Sequence, residues 1–88
     1  MNVIYFNGKR KDINSFDAID NPEEVKVLDC YNTKINSLVG IENLYNLKKL
    51  DCGYNHLISL KGIEYLYNLE ELYCEYNQLT SLKEIEKL

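Results

Sequence analysis

Residues 47–68 read LKKLDCGYNHLISLKGIEYLYN, and two spacings inside this stretch decide the fold. In the segment LxxLxC, Leu50 and Cys52 are two residues apart, the spacing at which side chains of a strand share a face. Asp51 falls between them and points the other way. Leu60, Ile63 and Leu66 then follow at intervals of three, a period that suits a short 3₁₀ or α turn. The unit is thus a strand, a bend and a short helical return. It cannot bury its apolar side alone, so it demands neighbours of its own kind.

Those neighbours are present. Upstream lies VKVLDCYNTKINSLVGIENLYN, residues 25–46, and downstream LEELYCEYNQLTSLKEIEKL, residues 69–88. The three copies align without gaps at a period of 22, marked by Cys30, Cys52 and Cys74. Stacked copies give a continuous core under a parallel sheet: Leu28 with Cys30, Leu50 with Cys52 and Leu72 with Cys74 point inward. One period further back, residues 3–24 form a degenerate copy. Val3, Phe6, Ile13, Phe16 and Ile19 fall on its apolar positions, while Gly8, Lys11 and Pro22 replace the cysteine, the asparagine and the last leucine. A terminal repeat has one side in water and is expected to be atypical. Residues 3–24 are therefore expected to be an N-terminal capping repeat of a single domain, 1–88.

The shared pattern LxxLxCxxNxLxxLxxIxxLxN resembles the leucine-rich-repeat family, in its 22-residue class of phosphatase-regulatory and internalin-type proteins. The Cys-x-x-Asn variant is similar to repeats of giant amoebal viruses and low-GC bacteria. The resemblance covers residues 25–88 closely and 3–24 loosely. It implies an α/β fold: a right-handed solenoid with a parallel concave sheet and short 3₁₀ or helical convex returns. It also implies that Asn55 and Asn77 bond backbone groups inside the bend, as a ladder from coil to coil. Thr33 holds that place in the first full repeat, where its hydroxyl satisfies fewer groups.

Bulk properties narrow the function. Eighty-eight residues make one domain with a modest core. A net charge of −4 argues against a general nucleic-acid binder. The apolar runs are too short for a membrane span. The start, MNVIYFNGKRKD, lacks the basic and apolar regions of a secretory signal. Three cysteines without a CxxC pair fit a reducing compartment, so the cytoplasm is the expected location.

Catalytic readings are weak. The cysteines in a row suggest a metal or redox site, but zinc wants four ligands in a tetrahedron, and a ladder of small buried hydrophobes explains the row as well. His56, the one histidine, has no nucleophile or orienting acid assigned beside it. Asp29 and Asp51 fall on adjacent strands, with Lys26, Lys48 and Lys49 on the same face, which reads as a solvated charged surface. No enzyme, cofactor or metal is expected.

The outward strand positions carry the functional signal, because they vary from copy to copy while the inward ones barely do. Solenoids bind through their concave surface, and exposed tyrosine gives large contact area at low entropy cost. The partner-binding residues are expected to be Tyr31, Lys49, Asp51, Tyr54, Tyr73, Glu75 and Tyr76. Tyr45 and Tyr67, at the end of the return, are expected in repeat packing and turn chemistry. The leading function is a protein-interaction module. The alternative is an assembly piece that self-associates through its C-terminal edge, where Leu79, Leu82, Ile85 and Leu88 are covered on one side only. There, acidic Glu70, Glu71, Glu75, Glu84 and Glu86 crowd the last coil and are expected to dock on the basic residues of another copy, among them Lys9, Arg10 and Lys11.

Overall fold

The computed structural model describes residues 2–87, and of Asn2, Val3 and Lys87 the backbone alone. Five strands form one sheet in the order β2-β1-β3-β4-β5: β1 (Asn2–Phe6), β2 (Lys9–Ile13), β3 (Val27–Asp29), β4 (Lys49–Asp51) and β5 (Glu71–Tyr73). Strands β3, β4 and β5 are parallel and in register at the repeat period, with Leu28 beside Leu50 beside Leu72. After each strand the chain bends and returns through a 3₁₀ turn, at Ile41–Asn43, Ile63–Tyr65 and Ile85–Lys87.

The core lies between the sheet and these turns. Leu28, Leu50, Cys30, Cys52, Ile41, Ile63, Leu44 and Leu66 are fully enclosed. Each 3₁₀ turn is too short to bury a stripe of its own, and its stability comes from packing one isoleucine and one leucine per coil against the next coil. Gly62 makes the approach possible. Its φ is +111°, and a Cβ there would lie 2.8 Å from Ile41 Cγ2, closer than carbon atoms tolerate.

The N-terminal segment departs from the expected degenerate coil. Residues 3–24 cap the domain with a β-hairpin and two 3₁₀ turns, Phe16–Ala18 and Pro22–Glu24, and β1 is antiparallel to both β2 and β3. The reason is Asn7-Gly8. Both residues have positive φ, 48° and 78°, the two-residue turn that reverses a strand directly. Asn7 then ties the hairpin to the first coil: its Nδ2 donates to Glu24 O at 2.7 Å and its Oδ1 accepts from Lys26 N at 2.9 Å. Ile4, Ile13, Phe16 and Ile19 supply the buried side of the cap, and Phe6 packs partly against it. The expected apolar roles of Val3 and Leu88 fall on side chains outside the described residues.

Enclosure falls off toward the last coil. Leu38 and Leu60 are buried, whereas Leu82, at the equivalent position, is 54% exposed. Leu72, Cys74, Leu79 and Ile85 are only partly buried. No helix among the described residues is long and apolar enough to cross a membrane.

Candidate functional site: the outward face of the sheet

Backbone pairing continues beyond the three-residue strands and fixes the outward face. Cys30 N donates to Asp51 O and Cys52 N to Tyr73 O, both at 2.8 Å. Asn32 N donates to Gly53 O at 3.0 Å, and Tyr54 N to Glu75 O at 2.9 Å. Equivalent residues of consecutive coils are therefore lateral neighbours: Asp29, Asp51 and Tyr73 in one row, Tyr31, Gly53 and Glu75 in the next, and Asn32, Tyr54 and Tyr76 in the third.

The bend behind this face is held by the asparagines. Asn55 is 5% exposed. Its Nδ2 donates to Cys30 O, Cys52 O and Gly53 O, each at 3.0 Å, and its Oδ1 accepts from Thr33 N at 3.0 Å and Ile35 N at 3.2 Å. Asn77 repeats the pattern with Cys52 O, Cys74 O and Leu57 N. The Thr33 hydroxyl makes one short bond, donating to Cys30 O at 2.7 Å. These bonds rigidify the backbone from which the outward side chains project.

The seven residues singled out from the sequence share this one face. Tyr54 and Tyr76 stack, with ring centroids 4.2 Å apart and planes 30° from parallel, and Tyr31 leans on Tyr54 at 5.0 Å and 56°. Lys49 Nζ lies 5.6 Å from the Tyr73 ring centroid, and the Tyr73 hydroxyl donates to Glu71 Oε1 at 3.0 Å. Asp29 and Asp51 each accept a bond from the residue two ahead, Tyr31 N at 2.9 Å and Gly53 N at 3.0 Å. Gly53 sits in a gap between Tyr31 and Glu75. A Cβ there would collide with Glu75 Oε1 and lie 3.3 Å from Asp51 Oδ1, so the two carboxylates converge over bare backbone.

The electrostatics follow from that convergence. Desolvation, then the negative charges of Asp29 and Glu75, raise the Asp51 carboxyl above its ordinary range against the bond from Gly53 N and the weaker pull of Lys49. The one ion pair among the described residues joins Lys11 and Asp20, at 3.7 Å.

Tyr54 and Tyr76 are in the left-handed region, with φ of 53° and 57°, as is Asn32 at 53°. Asparagine tolerates that conformation and a bulky residue does not. Nothing in the sequence spacing signals this strain. Tyr45 and Tyr67 differ from expectation: both rings are exposed, and the turn chemistry belongs to their neighbours. Asn46 Nδ2 donates to Glu23 O and Asn68 Nδ2 to Tyr45 O. His56 is exposed, and its backbone N donates to Ile35 O.

The cysteines sit on the inner side. Cys30 and Cys52 are buried and Cys74 is partly buried, all as free thiols. Among the described residues no group of three or more His, Cys, Asp or Glu could hold a metal ion. Burial pushes the Cys52 thiol up to about 12 and the Cys30 thiol well above its usual range. In the native protein at pH 8, Cys52 is thus expected to react roughly a thousandfold slower with a disulfide reagent than after denaturation, and Cys30 to be slowed as well. Cys74 should react first. Rapid native labelling of all three would break the inward register.

Comparison with curated protein sequences finds no match. Among solved structures, an internalin (inlF) from Listeria monocytogenes superposes with a TM-score of 0.74 at 28% identity, over 76% of this chain. The match spans only 20% of the internalin chain. The family model for leucine-rich repeats (2 copies) matches residues 23–65 and again residues 45–88. Those two matches take in β3, β4 and β5 with their returns, which are the three coils built on Cys30, Cys52 and Cys74, and so the chain belongs to the leucine-rich-repeat family.

Proposed function

We propose that this chain is a protein-interaction module that takes its partner on the concave, outward face of the sheet, without catalysing a reaction. Repeat folds of this kind generally mediate protein–protein contact, through the extended surface that stacking creates.

The observation that carries the reading is the tyrosine stack in an unfavourable backbone. Holding a bulky residue in the left-handed region costs about 1–2 kcal/mol, and stacking one exposed ring on another returns about 0.5–1.5 kcal/mol. The two nearly cancel, so internal stability gives no reason to keep tyrosine where Asn32 shows that asparagine serves. A rigid aromatic row in water is what a partner uses as an anchor.

The test is the pair Tyr54→Asn and Tyr76→Asn. Thermal melting should be unchanged or slightly higher, because the strain is relieved. Affinity for the partner, once identified by capture on the immobilised chain and titrated as a purified protein, should fall about tenfold or more. Folded variants that bind as tightly as the parent would remove the face from consideration.

A further inference from the structure

The two free edges of the sheet carry opposite charge. One edge is β2, where Lys9, Arg10 and Lys11 are consecutive and exposed and Asp12 is the one acid. Lys11 is paired with Asp20, and Arg10 lies over the Tyr5 ring, 5.8 Å from its centroid. The other edge is β5, with exposed Glu70, Glu71 and Glu75 on and beside it. Two backbone donors at this edge are unpaired. Cys30 N and Asn32 N donate to the next coil, as do Cys52 N and Tyr54 N, whereas Cys74 N and Tyr76 N, at the equivalent positions, have no acceptor among the described residues. Behind the edge lie Leu72, Cys74, Leu79 and Ile85, each only partly buried, and Leu82, which is exposed. The stack thus presents an acidic strand template with an incompletely covered apolar end behind it.

We propose that a second copy of this chain docks here head to tail, laying its basic β2 along the acidic β5 edge. Strand direction permits it. β2 is antiparallel to β1 and β1 to β3, while β3, β4 and β5 are parallel, so β2 runs the same way as β5. A copy translated along the stack therefore adds β2 to β5 as a parallel strand, the pairing that β3, β4 and β5 already use. Charge selects this arrangement over a two-fold one. A symmetric pair joins β5 to β5 or β2 to β2, and sets Glu70, Glu71 and Glu75 against themselves or Lys9, Arg10 and Lys11 against themselves. Charged side chains on a strand edge keep it from pairing with its own kind, but those of the two unlike edges attract each other. Because the two docking surfaces differ, each added copy leaves a new β5 edge open, and the contact repeats. Exposed ion pairs are individually weak, so the assembly is sensitive to salt. The outward faces of β3 and β4 stay free for a partner.

Sedimentation equilibrium of the 88-residue chain is the test. At low salt the weight-average mass should rise with protein concentration and pass that of a dimer. In about 1 M salt, where the Debye length is about 3 Å, it should return to the monomer. Glu70→Lys with Glu71→Lys makes both edges basic, and Lys9→Glu with Arg10→Glu makes both acidic. Either variant alone should stay monomeric, and an equimolar mixture should assemble again. All four positions are exposed, and thermal melts check that each variant folds. Where a reversal lowers the melting point, Glu70→Gln with Glu71→Gln or Lys9→Gln with Arg10→Gln takes its place, and each should weaken association about tenfold. In the ¹⁵N-labelled parent, raising the concentration should move the amides of β2, Cys74 and Tyr76. A parent that stays monomeric at low salt, an assembly that stops at a dimer, or shifts centred elsewhere would overturn the proposal. So would reversed variants that associate alone, a mixture of them that stays monomeric, or neutral variants that associate as tightly as the parent.

Discussion

Replacing Asn55 with alanine is expected to destabilise the domain by about 3–5 kcal/mol, the largest effect of any single polar substitution in the chain. Asn55 makes five bonds to the backbone of two coils, and its side chain is buried. Truncation leaves the Thr33 and Ile35 amides with no partner, while the three carbonyls keep one bond each, from Thr33 Oγ1, Asn77 Nδ2 and Asn32 N. A buried unpaired polar group costs about 1–3 kcal/mol, and entry of a water into the space reclaims part of the sum. A domain of this size has about 4–13 kcal/mol to lose. Asn77→Ala should cost less, about 1–3 kcal/mol, because Asn77 is only half-buried and ties one coil behind it. Thr33→Ala should cost about 1 kcal/mol, since the Cys30 carbonyl that its hydroxyl serves also accepts from Asn55 Nδ2. Urea unfolding followed by circular dichroism gives all three values. An Asn55→Ala variant as stable as Thr33→Ala would show that the ladder does not hold the bend.

How much of this could be read from the residues varies along the chain. Cys30, Cys52 and Cys74 fix the period, and the i, i+2 pairing of Leu50 with Cys52 fixes which side of each strand is inward. Those readings succeed because a repeat imposes the same local geometry three times, and stacking leaves one arrangement for the apolar side. The N-terminal segment shows where periodicity misleads. Ile13, Phe16 and Ile19 are buried as the repeat alignment requires. The chain reaches them through a hairpin, because Asn7-Gly8 forms the tight two-residue turn that such a pair locally favours. Recurrence marks equivalent positions and not equivalent burial: Tyr45 and Tyr67 repeat at 22 residues and still project into water.

The candidate site was legible as a set and not as an arrangement. Outward position alone brings Tyr31, Lys49, Asp51, Tyr54, Tyr73, Glu75 and Tyr76 to one face. The convergence of Asp51 and Glu75 depends on Gly53 having no side chain and on Glu75 folding back along the ladder. The strain at Tyr54 and Tyr76 depends on a left-handed bend after the strand. Both are properties of how one coil lies on the next, and no single repeat contains them.

The same stacking makes a second large effect, and its size should change along the solenoid. Leu50→Ala is expected to cost about 3–5 kcal/mol, because Leu50 is enclosed between coils on both sides and the backbone pairing of β4 with β3 and β5 keeps those coils from closing into the cavity. Leu72→Ala, at the equivalent position one coil later, should cost about 1–2 kcal/mol, since Leu72 is only half-buried and the vacated space opens to solvent. In a stack where each coil contacts only its neighbours, the difference measures what the second neighbour contributes. Both variants should still unfold in one transition, because a middle coil weakened by this much takes its neighbours with it. The comparison also interrogates the acidic β5 edge of the 88-residue chain. If Leu72→Ala proves as costly as Leu50→Ala, the last coil is covered in solution. A rise of the urea midpoint with protein concentration would then identify the cover as a second copy. A concentration-independent midpoint with equal costs would instead mean that the last coil closes over Leu72 by itself.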